Sequence, residues 1–214
     1  MKHIYCISGL GADERVFSRL AFTGYEIHFI KWFIPEKNED ISIYAKRLAE
    51  QITGDKPILI GLSFGGMMCI EIAKLLPIEK IILISSIKSF REIPLWMRLS
   101  GKLKLNKIFP MRSFRLIEPL ENYNLGIETI EEKEMVDLYR KNINTRYSDW
   151  AINIILNWKN GQIPGNLSHI HGSNDRIFPL RKVNPHYIVN TGGHLMIMNR
   201  YKEVNEYINV ILNS

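Results

Sequence analysis

The sequence predicts an α/β protein: a mostly parallel, open sheet of about six strands, with helices on both faces and an inserted helical segment. Three observations predict it. Strand-like apolar runs alternate with helical patterns from the N-terminus to residue 86. The alternation then stops for about 70 residues that carry helical periodicity alone. It resumes near residue 167 and continues to the end of the chain.

Each element follows from its own pattern. The run over 3–7 is short, apolar and partly β-branched, and it ends in Ser8-Gly9-Leu10-Gly11, as a buried strand opening into a glycine loop would. Val16, Phe17 and Leu20 then fall at helical spacing, so a short helix is expected over 13–20. A second strand covers 25–30, and a polar, Pro-containing connection covers 32–39. Ile43, Leu48, Ala49 and Ile52 share one face of a helix over 42–52, which Asp40 is placed to cap. The run 58–60 reads as a buried strand, and the helix after it, over 67–76, is stopped by Pro77. Residues 80–86 are nearly all apolar, as a central parallel strand covered on both faces requires.

From 90 to about 160 no strand pattern appears, and helices are expected over 94–103, 107–116, 129–141 and 148–158. Pro119 and the segment 122–126 are expected to separate the middle two. Trp96, Met97, Met111, Phe114, Trp150 and Trp158 supply large apolar side chains; most are expected to pack this insert onto the body and a few to line a pocket. Strands over 167–171 and 186–190 end in Gly172-Ser173-Asn174-Asp175 and Thr191-Gly192-Gly193-His194, and a closing helix covers 195–212. The organisation expected is one domain over 1–214, with a helical insertion over 87–163 and no internal repeat.

Composition narrows the function classes. The 214 residues are 46% apolar and 23% charged, an ordinary globular balance, and the formal charge is +6. Lysines and arginines are dispersed and no nucleic-acid motif occurs, which argues against a nucleic-acid partner. Cys6 and Cys69 both sit in apolar stretches and read as small core residues, not a disulfide framework. No apolar stretch is long enough for a membrane span and no signal peptide is visible, so a cytoplasmic protein is expected. His3, His28, His169 and His186 read as strand residues, and no pairing of histidines with carboxylates or cysteines shows metal-ligand spacing, so no metal is expected.

The chemistry lies at the strand ends. Gly61-Leu62-Ser63-Phe64-Gly65 joins a strand to a helix in the Gly-x-Ser-x-Gly pattern of a nucleophile elbow. A sharp turn there strains the serine backbone and leaves no room for side chains two residues to either side. Parallel open sheets place their sites beyond the carboxyl ends of the strands, and Ser63, Asp175 and His194 each follow such an end, in that order.

On these three segments and the helical insert, the chain resembles the α/β-hydrolase family over essentially its whole length, as a small, cap-bearing, esterase-like serine hydrolase. The resemblance implies Ser63 as nucleophile, His194 as general base and Asp175 as the acid that orients it. It implies an oxyanion hole made by the backbone N–H groups of Leu10 and Phe64, and a small-molecule acyl substrate, with no cofactor. It also implies the strand order second, first, third, fourth, fifth, sixth. Relatives that are haloalkane dehalogenases or epoxide hydrolases carry aspartate where Ser63 stands. In some members the acid follows the strand before the cap, but here that strand ends in Ser85-Ser86-Ile87; Asp149, within an expected insert helix, is the weaker rival. Asp13 is expected to have a local role, and His171 to support the Asp175 turn. Ser8 stands where many relatives have histidine, and the N-terminal hairpin of many members is missing. A carbon–carbon lyase, an acyltransferase or a non-catalytic ligand receptor would carry the same residues. Arg15 is open to two readings, anionic-group binding or plain surface charge. So are Arg91, Arg98, Lys102, Lys104, Lys107, Arg112 and Arg115 of the insert.

Overall fold

Six apolar segments form a single parallel sheet in the order β2-β1-β3-β4-β5-β6: β1 (Lys2–Ile7), β2 (Tyr25–Phe29), β3 (Ile58–Leu62), β4 (Lys80–Ile84), β5 (Leu167–Gly172) and β6 (Tyr187–Val189). The computed structural model describes residues 2–104 and 118–214. The expected strand order is the observed one. Alternation along each strand divides the core. Tyr5, Ile7 and Leu59 face one layer, with α1 (Ile41–Ala49) and α2 (Phe64–Ile72) over them; Ile4, Cys6, Ile58 and Ile60 face the other, beneath the C-terminal helix. β3 and α2 are buried throughout, which is why their sequence shows no polar face. Cys6 and Cys69 are free and buried, and burial pushes both thiols far above their ordinary range.

Between β4 and β5 the described residues form helices: α3 (Leu95–Lys102), α4 (Glu118–Leu125), α5 (Ile130–Asn142) and α6 (Thr145–Asn157). α5 starts at a capping box, with Thr129 Oγ1 accepting from Glu132 N–H and the Glu132 carboxylate accepting from Thr129 N–H. The helix expected over 107–116 lies outside the described residues, as do Met111 and Phe114. Trp150 and Trp158 anchor the insert: their indole N–H groups donate to the Glu39 carbonyl and the Glu71 carboxylate, each at 2.8 Å.

Three elements differ from expectation. The segment 119–126 is not a break but most of α4, because Pro119 sits in the first turn, where a missing N–H costs nothing, and Gly126 (φ 73°) ends the helix. The closing helix is two pieces, α7 (Met196–Asn199) and α8 (Tyr201–Asn213), parted at Arg200, which has φ −120° and ψ 27°. The expected helix over 13–20 is a single 3-10 turn, Glu14–Phe17, capped by Asp13. No helix of the described residues is long and apolar enough to cross a membrane.

Candidate active site

The turn from β3 into α2 puts Ser63 at φ 51°, ψ −116°, a backbone conformation that a non-glycine residue adopts at a cost. Close packing explains its neighbours. A Cβ on Gly61 would lie 2.5 Å from Gly66 Cα and 2.6 Å from Cys69 Sγ, and one on Gly65 would run into the carbonyl oxygens of Ile7 and Ser8. The turn is held from both sides: Ser63 N–H donates to the Ile84 carbonyl at 2.9 Å, and Ser86 Oγ donates to the Ser63 carbonyl at 2.6 Å.

Ser63, His194 and Asp175 meet in one line, with His194 and Asp175 buried and Ser63 half-buried. His194 Nε2 lies 2.9 Å from Ser63 Oγ, and His194 Nδ1 lies 2.8 Å from Asp175 Oδ2. The other carboxylate oxygen accepts from the N–H groups of Ile177 and Phe178, each at 2.9 Å. Burial alone would push the Asp175 carboxyl up, but the imidazoles of His194 and His171 and the Phe178 N–H outweigh it and hold it below its ordinary value. The two strand-end loops are stitched together by Ser173 N–H to the Val189 carbonyl and Asn174 N–H to the Gly192 carbonyl. Asp149 is exposed on α6, and it is Asp175 that His194 meets.

Phe64 follows Ser63 directly and the loop carrying Leu10 borders it, a Cβ on Gly9 lying 3.5 Å from Ser63 Cβ; neither the Leu10 nor the Phe64 N–H has a backbone acceptor among the described residues. Phe64 opens α2, where the first N–H groups of a helix are free by construction. The loop carrying Leu10 is fixed by a residue that the sequence left without a role. Ser8 Oγ donates to the Ala12 carbonyl at 2.7 Å and accepts from Trp32 Nε1 at 2.9 Å. Trp32 in turn stacks on Phe64, with ring centroids 5.4 Å apart, so one indole braces both N–H donors. The signal was Ser8 itself, a hydroxyl beside Gly9, but its partner 24 residues away was not visible along the chain.

No protein-family model and no curated protein matches the sequence. Solved structures do match in shape. A thermophilic esterase from Thermogutta terrifontis, solved with malate bound, aligns with 100% of this chain and 90% of its own at a TM-score of 0.71 and 13% identity. The 2-hydroxy-6-oxo-6-phenylhexa-2,4-dienoate hydrolase of a Rhodococcus species aligns with 100% of this chain and 91% of its own, at 0.71 and 15%. A Bacillus megaterium epoxide hydrolase aligns with 100% of this chain and 94% of its own, at 0.68 and 11%. This chain has the α/β-hydrolase fold.

In this α/β-hydrolase fold the helical insert reaches Ser63 from above. A cavity of about 380 Å³ runs from Gly9, Leu10, Ser63 and His194 to Trp96 and Met97 of α3, Val136 and Tyr139 of α5 and Ile155 and Leu156 of α6. The Leu125 carbonyl at the end of α4 accepts from Leu195 N–H at 3.0 Å, tying the insert to the His194 loop. Of the large side chains weighed from the sequence, Trp96 and Met97 line the cavity, while Trp150 and Trp158 pack.

Away from Ser63 and His194, the charged and amide side chains of Glu121, Asn124, Arg140 and Arg176 interrupt the apolar lining among the described residues. Arg140 is already matched by Asp137 at 2.9 Å and Glu121 at 3.3 Å, and it donates to Asn122 Oδ1 at 2.6 Å. Burial pushes the Glu121 carboxyl up against the pull of that guanidinium. Arg176 lies over the Tyr123 ring, 3.9 Å from its centroid. The described basic residues singled out from the sequence, Arg91, Arg98, Lys102 and Lys104, are not among the lining residues; Arg91 and Arg98 stack on Phe90 instead. Lys107, Arg112 and Arg115 lie outside the described residues. Arg15 pairs with Asp13, lies over the Tyr139 ring and is not among the lining residues.

Proposed function

We propose that this protein is a serine hydrolase that cleaves a small ester, thioester or related acyl bond through a covalent acyl-enzyme. The reading rests on the hydrogen-bonded line Ser63–His194–Asp175 opening onto the cavity. Ser63 Oγ attacks the acyl carbon while His194 Nε2 takes its proton. Negative charge develops on the former carbonyl oxygen, and the N–H groups of Leu10 and Phe64 receive it. His194 returns the proton to the leaving group, and a water activated by His194 then releases the acid. The insert acts as a cap, and its apolar walls select an acyl chain over a highly polar one.

The test is labelling with a fluorophosphonate probe, followed by turnover of short aryl esters. Wild type should label and turn over. Ser63→Ala should do neither, with kcat/KM lower by at least about a thousandfold and an unchanged circular dichroism spectrum. A folded Ser63→Ala protein with wild-type turnover overturns the proposal. Labelling without turnover of any acyl substrate redirects the site to a lyase or a receptor.

A further inference from the structure

The parallel pairing of β1 with β2 sets His3 opposite Glu26 and Tyr5 opposite His28. Residues two apart on a strand share a face, so His3, Glu26 and His28 project together at the start of the two strands. One ligand-capable atom from each lies within 4.8 Å of those of the other two. His3 Nδ1 lies 3.0 Å from His28 Nε2 and 3.5 Å from one Glu26 carboxylate oxygen, and His28 Nε2 lies 3.6 Å from the other. No metal-ligand spacing is visible along the chain, because residues 3, 26 and 28 meet only through strand register.

We infer that this cluster is a binding site for a borderline transition-metal ion of the zinc class, separate from the proposed catalytic centre. A tetrahedral zinc with bonds of about 2.0–2.1 Å holds its ligand atoms about 3.3–3.4 Å apart, within about 0.4 Å of each edge of this cluster, the two carboxylate edges ending on different oxygens of Glu26. Two imidazole nitrogens with one carboxylate suit zinc, nickel or copper and disfavour magnesium and calcium, which take oxygen ligands. A hydrogen bond between two neutral imidazoles accounts for the 3.0 Å edge alone, and the carboxylate distances of 3.5 and 3.6 Å are long for hydrogen bonds to either ring. The ligands are set in advance. His28 stacks on Tyr5 with ring centroids 4.6 Å apart, and the Tyr5 hydroxyl is pinned to the Thr53 carbonyl at 2.6 Å. The two histidine side chains remain 33% and 31% exposed, so an ion can reach them from solvent.

Place suggests purpose. His3 lies at the start of β1, whereas the loop bearing Leu10 follows its far end, five residues and roughly 16 Å along the strand. β2 is an edge strand, paired to the sheet through β1. An ion held by His3 on one strand and by Glu26 and His28 on the other clamps that edge, and by binding the folded state alone it stabilises the fold in proportion to its occupancy.

The experiment titrates the full, chelator-treated chain with cobalt(II), then displaces the cobalt with zinc. One equivalent should bind, with the visible absorption of a four-coordinate ion, and saturating zinc should raise Tm. Glu26→Gln, a conservative change at a half-exposed position, should weaken zinc at least tenfold, and the double variant His3→Gln/His28→Gln should abolish both binding and the Tm rise. His194→Gln should bind zinc as wild type does. Absence of stoichiometric binding, wild-type affinity in the folded double variant, or loss of binding in His194→Gln would each overturn the inference.

Discussion

His194 can accept a proton from Ser63 only if its own proton sits on Nδ1, and Asp175 Oδ2 at 2.8 Å selects that tautomer. The neighbouring imidazoles are ordered by the same logic. His171 Nε2 faces the Phe178 carbonyl at 2.8 Å and must carry the hydrogen, so its Nδ1 accepts from His169 Nε2 at 3.1 Å. In Asp175→Asn the amide offers N–H where a carboxylate accepted, and it favours the wrong imidazole tautomer. Ester turnover should fall about a thousandfold or more with the fold intact, whereas Asp149→Asn should leave kcat within about twofold. The reverse ranking of these two variants, measured on one aryl ester, would refute the choice of acid. Ser63, Asp175 and His194 were legible in the sequence because each follows an apolar run and lies within three residues of a glycine. Ser8 and Trp32 were not, since their pairing is a contact between loops with no periodic signature.

Elements were legible where their pattern is local. Period-two and continuous apolar runs found all six strands, and the break in alternation located the insert. α4 was missed because proline and glycine read as punctuation, while their effect depends on where in the helix they fall. The break at Arg200 left no mark, because residues on either side keep helical spacing. At the elbow the local rule and the packing agree. Gly65 lies against the last carbonyls of β1, so Gly65→Ala pushes α2 off the strand that leads into the Leu10 loop. Urea unfolding should show a loss of about 2 kcal/mol or more. A variant with wild-type midpoint and full activity would mean that this contact relaxes without cost.

At the scale of the whole molecule, the sheet carries two fully buried imidazoles in β5, His169 and His171. Burial lowers both below the ordinary histidine value. At His169 the neighbouring His171 and Lys88 push the same way; at His171 the Asp175 carboxylate pulls back without reversing the effect. Such a group stays neutral in the folded chain while its unfolded counterpart takes up a proton. Above the unfolded pKa of about 6.5 both states are neutral and no proton uptake is linked to folding. As pH falls below that value the unfolded state binds more protons, and stability is lost toward the depressed folded pKa. Asp175 adds to the loss only below about pH 4, where the unfolded carboxylate begins to protonate. Between pH 6.5 and 5 the β5 histidines should therefore give wild type a falling Tm. His169→Gln removes one of them, and its stability should decline less steeply, by up to about 1.4 kcal/mol per pH unit, whatever its level at pH 8. Melting curves for the two proteins from pH 8 to 5 separate slope from offset, and parallel curves would mean that His169 titrates alike in the folded and unfolded chains.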